Sequence, residues 1–247
     1  MNKIIIFLLL FLPNMSFAHE CNERIDRLSK NNNVKILCNT ESMNFPSIVS
    51  VEEIPKNNLE DITISLEQFF AVYNPSFLKN NISSINILQK IKVGNSEVAG
   101  ISNGREISIN VVRYSTKQKR ISSYTECLHH EFSSNIFRKT SSKNKNEWKH
   151  ISNSYNYSQH YLLKCLNDPL FAEDISIENL KLGYLQNYSL TNEENDFNNY
   201  AEMLFMKEKR LLNGSKIYIK VNKKLIMLKA IYIEMGFIGK FPDELDR

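Results

Sequence analysis

The sequence predicts an α+β fold: a small mixed sheet, then one helix with a polar face, then a mainly helical C-terminal half. Three observations predict it. Runs rich in β-branched residues fall before residue 115, at Val34 to Cys38, Ser84 to Val93 and Glu106 to Val112. Apolar residues recur at helical spacing through most of the chain beyond residue 116. The chain of 247 residues is also long enough for a substantial core.

Taken in order, Lys3, the apolar run from Ile4 to Leu12, Pro13 and then Ser16-Phe17-Ala18 have the layout of a secretory signal peptide. Residues 1–18 are therefore expected to be a leader, and 19–247 one domain, strand-rich over 19–115 and helical over 116–247. The apolar run is too short to span a bilayer, and no later stretch is longer, so no membrane association is expected after cleavage. Val34 to Cys38 and Ile48 to Ile54 read as strands or extended arms. Leu59, Ile62, Leu66, Phe69, Phe70 and Tyr73 are spaced for a helix that Asn74-Pro75 ends. Ser84 to Val93 and Glu106 to Val112 read as strands flanking a glycine-containing turn at Gly100 to Gly104; Ile107, Ile109 and Val111 alternate with polar partners.

The next segment carries the chemistry. In Thr125-Glu126-Cys127-Leu128-His129-His130-Glu131-Phe132-Ser133-Ser134, residues three and four apart share a helix face. Cys127, His130, Glu131, Ser134 and Arg138 then point one way, while Leu128, Phe132 and Ile136 form an apolar stripe. A His-Glu pair is half of the zinc-peptidase motif, in which a second His four residues on completes the metal clamp. Here that position is Ser134. Ser141 to Asn146 reads as a polar loop, and Trp148 to Tyr161 as a long surface segment. Thr191 or Asn192 caps a helix expected to reach about Leu212, with Phe197, Ala201, Leu204 and Phe205 on its core face. Asp196 and Glu202, six residues apart, flank that face on opposite sides. A last amphipathic helix runs from Lys216 to Met235, with Lys220, Lys223, Lys224 and Lys229 on its solvated side.

The formal net charge of +4 is too small to point to nucleic acid. Four cysteines in an exported chain suggest disulfides, and pairing within regions favours Cys21 with Cys38 and Cys127 with Cys165.

Four islands in order, Leu128 to Ser134, Asn146-Glu147-Trp148 with Tyr157, Gly183 to Ser189, and Glu194 to Glu202, resemble the zinc-binding metallopeptidases exported by bacteria, a gluzincin-like group. The resemblance implies a zincin-like fold, zinc as cofactor, His130 as ligand, Glu131 as general base, and Glu202 or Asp196 as distal carboxylate. His129 is a further ligand if the helix bends, and Tyr200 a phenol able to donate to an oxyanion. The chain departs from the pattern at Ser134 and at Asn199, where many relatives carry the Glu of a Glu-Asp-Phe-Ala-Glu run.

Two functions are expected on this basis. One is a secreted or periplasmic zinc-dependent hydrolase that attacks peptide bonds with a metal-activated water. The other is a non-catalytic protein of the same fold that binds an extended peptide or protein partner along the strand near Ile107 to Val111.

Overall fold

A computed structural model describes residues 21–38, 54–93, 96–111, 116–152 and 157–242. The expected leader over 1–18, and most of the apolar run from Ile48 to Ile54, lie outside the described residues. The first half holds α1 (Glu23–Asn32), β1 (Lys35–Cys38), α2 (Lys56–Val72), α3 (Pro75–Asn81), β2 (Ser84–Leu88), β3 (Lys92–Val93), β4 (Ser96–Glu97), β5 (Gly100–Asn103) and β6 (Glu106–Asn110). Then come α4 (Lys117–Lys139), α5 (Ser142–Ile151), α6 (Gln159–Asn167), α7 (Pro169–Glu173), α8 (Ile177–Leu182), a 3₁₀ turn at Asn187–Leu190, α9 (Glu193–Phe205), α10 (Lys209–Ile217) and α11 (Ile219–Glu234).

The sheet runs β1-β2-β6-β5; the first three strands are parallel and β5 is antiparallel to β6. Ile85, Ile87, Ile107 and Ile109 are fully buried, as β-branched residues in paired central strands should be. The strand expected to offer an open edge, near Ile107 to Val111, is therefore internal: β6 is bonded to β2 on one side and β5 on the other. The edge next to α4 belongs to β5, whose short Gly-Ile-Ser-Asn run gave a weak strand signal. Asn110 N–H donates to Ala99 O, so the alternation of an antiparallel pair turns the backbone of Gly100 and Ser102 away from β6.

α4 is the central helix. It packs against α2, α9, β5 and β6, and Leu128, Phe132 and Ile136 are the fully buried stripe that the spacing predicts. Thr116 caps it, its side-chain oxygen accepting from Lys119 N–H. The helix expected over 193–212 divides into α9 and α10. Lys207 takes a left-handed φ of 57°, Lys207 N–H bonds Leu204 O and Glu208 N–H bonds Met203 O, which is a Schellman stop made without glycine. Ser141 to Asn146, read as a loop, is instead the start of α5, capped by Ser141 accepting from Asn144 N–H. Lys224, placed on the solvated side from the pattern, is buried inside α11's packed face.

Cys21 and Cys38 form a disulfide, as expected, and tie the start of α1 to β1. Cys127 and Cys165 do not pair. The Cys127 sulfur is turned towards β5, 2.5 Å from where a Cβ on Gly100 would stand, whereas α6 carries Cys165 against α7 and the 3₁₀ turn. No helix among the described residues is long and apolar enough to cross a membrane. A bridge such as Cys21–Cys38 persists in oxidising, non-cytoplasmic surroundings. Alkylation under denaturing conditions without reductant is expected to label Cys127 and Cys165 and leave Cys21 and Cys38 bridged. Mass spectrometry reads this directly, and a chain with no alkylated cysteine would contradict the placement of Cys127.

Candidate functional site

α4 and α9 lie side by side, and their facing polar residues meet in rungs one helical turn apart. In the first rung His130 Nδ1 donates to Glu202 Oε2 at 2.6 Å. Gln186 Nε2 adds a longer contact to Glu202 Oε1 at 3.4 Å, and the Tyr188 ring lies 5.9 Å from that of His130. In the second rung Asn198 Nδ2 donates to Ser134 Oγ at 2.7 Å, while Ser133 Oγ donates to Asn198 Oδ1 at 2.6 Å. His130 and Ser134 are four apart on α4, and Glu202 and Asn198 are four apart on α9, so one helical period sets both rungs.

Glu131 sits beside this ladder, between α4 and β5. A Cβ on Gly100 would come within 2.9 Å of its Cγ, so only glycine at 100 lets the strand pass so close. At 9 % exposure Glu131 is nearly buried, and burial raises its pKa against the opposing pull of His130 and Arg138. Both of those cations are committed elsewhere: His130 to Glu202, and Arg138 to Glu194 at 2.6 Å and to Ser102 O at 2.9 Å.

Burial alone would lower the pKa of His130. The attraction of Glu202 and its hydrogen bond outweigh that and lift it to about 9, so the ring is an imidazolium at neutral pH. Desolvation at the cleft mouth and the carboxylates of Glu202 and Glu173 push the pKa of Glu126, one turn earlier on the outer side of α4, upward, but its side chain is exposed and water screens the shift. Burial, together with Glu131, Glu126 and Glu202, pushes the Cys127 thiol well above its usual range, so it is not an activated nucleophile.

The other three candidate residues lie elsewhere. His129, 100° round the helix from His130, is in the core: its Nδ1 shares a 2.9 Å hydrogen bond with Tyr73 Oη, it stacks on Phe205, and burial lowers its pKa to about 3. α4 is an uninterrupted α-helix through this stretch, with no π-bulge to return it to the site. Asp196 accepts from Lys224 Nζ at 2.6 Å, Trp148 Nε1 at 2.9 Å and Tyr157 Oη at 3.0 Å in a buried cluster on the far side of α9. Tyr200 packs on Trp148 and donates to Gly183 O at 2.9 Å. Asn199 also turns away, its Nδ2 donating to Ser189 Oγ at 2.8 Å. The residue opposite Ser134 is Asn198, which the sequence pattern did not single out, although its spacing of four from Glu202 marks it as sharing that face.

No protein-family model matches this sequence, and no curated protein does. Among solved structures the chain is similar to one described as a "putative zinc-binding metallo-peptidase" from Bacteroides caccae, with a TM-score of 0.55 and 16 % identity over 89 % of each chain. That likeness shows a shared fold. The mixed sheet and helical half are thus metallopeptidase-like, while the donor set here departs from what zinc catalysis uses. Catalytic zinc takes three protein ligands and an open position. In this cleft His130 and Glu202 are bonded to each other, Ser134 and Asn198 are neutral, and among the described residues no group of three His, Cys, Asp or Glu side chains is placed to hold an ion.

The titrations fix the pH profile of stability. His130, raised from 6.5 to about 9, contributes stability that is complete below pH 6.5 and lost as pH rises through 9. His129, lowered to about 3, contributes stability present above pH 6.5 and lost as pH falls. Urea unfolding is therefore expected to show a maximum near pH 6 to 7 and a loss on the order of 1–3 kcal/mol by about pH 10. Glu202→Gln should flatten that alkaline limb. An alkaline limb unchanged in Glu202→Gln would remove the His130–Glu202 pair as its cause.

Proposed function

We propose that this chain is an exported protein of metallopeptidase-like fold that binds an extended peptide or protein segment in the cleft beside β5, without zinc-dependent hydrolysis. The observation that carries the reading is the Ser134–Asn198 hydrogen bond, which fills with neutral groups the place where α4 and α9 would need a second and a third ligand. His130 is held by Glu202 at 2.6 Å, an ion pair that a metal would have to displace. The Cys21–Cys38 bridge and the amino-terminal pattern support export to the periplasm or the medium.

Binding of an extended segment rests on the edge strand. β5 runs antiparallel at the rim of the sheet with Gly100 turned outward and the Ser102 carbonyl taken by Arg138, and an edge of this kind pairs with an added strand through backbone hydrogen bonds. Glu131 would then be a recognition group rather than a base.

The reading is tested by restoring the missing donors. The double variant Ser134→His with Asn198→Glu is expected to retain close to one zinc per chain after desalting, against less than about 0.1 for the wild type. Metal analysis by mass spectrometry supplies both numbers, alongside cleavage of an unfolded protein substrate. Stoichiometric zinc in the wild type, with cleavage abolished by Glu131→Gln, would overturn the proposal in favour of the hydrolase.

A further inference from the structure

Two features near the cleft are left unexplained by a generic peptide-binding edge. The first is electrostatic. Glu131 is a nearly buried carboxylate whose two neighbouring cations, His130 and Arg138, are each bonded to another acid. A nearly buried acid that only shares two cations already paired with other acids is costly, and a further cation from outside relieves it. Around it the balance is acidic: Glu126 stands at the mouth, Glu202 behind His130, and Glu173 on α7 close enough to act on Glu126. The chain as a whole is basic, so this local reversal is not a consequence of its composition.

The second feature is a cavity of about 580 Å³ between α8, α9 and α10. Leu180, Leu185, Met203, Leu211 and Ile217 give it apolar walls, and Glu173 and Asp174 stand at its rim. Glu173 belongs to both features, so the acidic field extends from the cleft mouth to the cavity. The arginine on the cavity wall, Arg210, is paired with Glu208 at 3.4 Å. Ile217, at the corner between α10 and α11, is 72 % exposed, an unusual placing for a large apolar side chain on the lip of a cavity.

We infer that the partner bound here is a basic peptide segment, with a lysine or arginine entering the acidic cleft at Glu131 and a nearby apolar side chain seated in the cavity lined by Met203 and Ile217. The inference rests on the peptide-binding function proposed for the cleft and adds the chemistry of the partner. Opposite charge steers such a segment to the cleft and sets its register. The apolar side chain provides affinity that salt does not screen. His130 does not oppose the incoming cation strongly, because its charge is already offset by Glu202 at 2.6 Å.

Fluorescence anisotropy on the full-length protein tests this with three labelled peptides of equal length: alternating lysine and leucine, alternating lysine and serine, and alternating glutamate and leucine. The lysine–leucine peptide is expected to bind at least about tenfold more tightly than either counterpart, and to weaken as salt is raised without losing binding altogether. Glu126→Lys with Glu173→Lys should reduce its affinity about tenfold or more, and Ile217→Asp by a similar factor, with circular dichroism unchanged. All three substitutions are at exposed positions, so folding is preserved. Equal affinity for the three peptides, or indifference to these substitutions, overturns the inference while leaving a generic peptide-binding cleft. Cleavage of the lysine–leucine peptide with zinc bound in the wild type overturns the non-catalytic function instead, and the two failures are separately visible.

Discussion

The arrangement depends on how α4 and α9 are held together at their polar seam. Two helices that meet through apolar residues alone slide with little penalty, whereas hydrogen-bonded rungs fix register and rotation. The charged rung, His130 to Glu202, lies partly buried, and removing one partner from such a pair leaves a charge that the site cannot solvate. The neutral rung, Ser133 and Ser134 to Asn198, has its polar atoms in a space closed to water, so each group must find its partner in the protein. A zinc ion bridging the same two helices performs the same mechanical task in enzymes that use one. Here side chains do it directly. In the function proposed here the seam is made of hydrogen bonds in place of a metal.

The back of α9 is secured in a different way. Asp196 and Lys224 form an ion pair with no solvent contact, enclosed by Trp148, Tyr157, Tyr184 and Tyr200. Burial pulls the two pKa values towards each other, and their mutual attraction and the donors Trp148 and Tyr157 resist that pull. This cluster joins α5, α9 and α11. α9 is thus clamped on both faces, by His130 towards the cleft and by Lys224 towards the core, and Glu202 has little freedom to swing away from His130.

Much of this was legible in the sequence, for reasons that differ by element. α2, α4, β2 and β6 carry strong apolar periodicity and are placed closely. The opposition of Asp196 and Glu202 follows from 100° per residue, and the structure sends them to opposite sides as that angle requires. That only one of the adjacent His129 and His130 reaches the polar seam follows in the same way. What was not legible depends on partners distant in sequence. Lys224 looks like any solvated lysine until Asp196, 28 residues earlier, is known to face it. α5 to α8 are short helices with sparse apolar residues, announced mainly by Ser and Asp caps that also mark turns. The end of α9 carries no glycine, because Lys207 itself adopts the left-handed conformation. Cys127 and Cys165 make an even count, but their separation is set by where α6 packs, which the spacing of cysteines does not encode.

The proposed function turns on a His130 ring that keeps its proton against Glu202 rather than giving it up to a metal. The most direct test is the titration of the His130 ring followed by nuclear magnetic resonance, with and without one equivalent of zinc. The account predicts a midpoint near 9 in both titrations, with the Nδ1 proton retained at neutral pH. A midpoint that collapses on adding zinc, with loss of the Nδ1 proton and a metal-bound shift of the ring at pH 7, would contradict it.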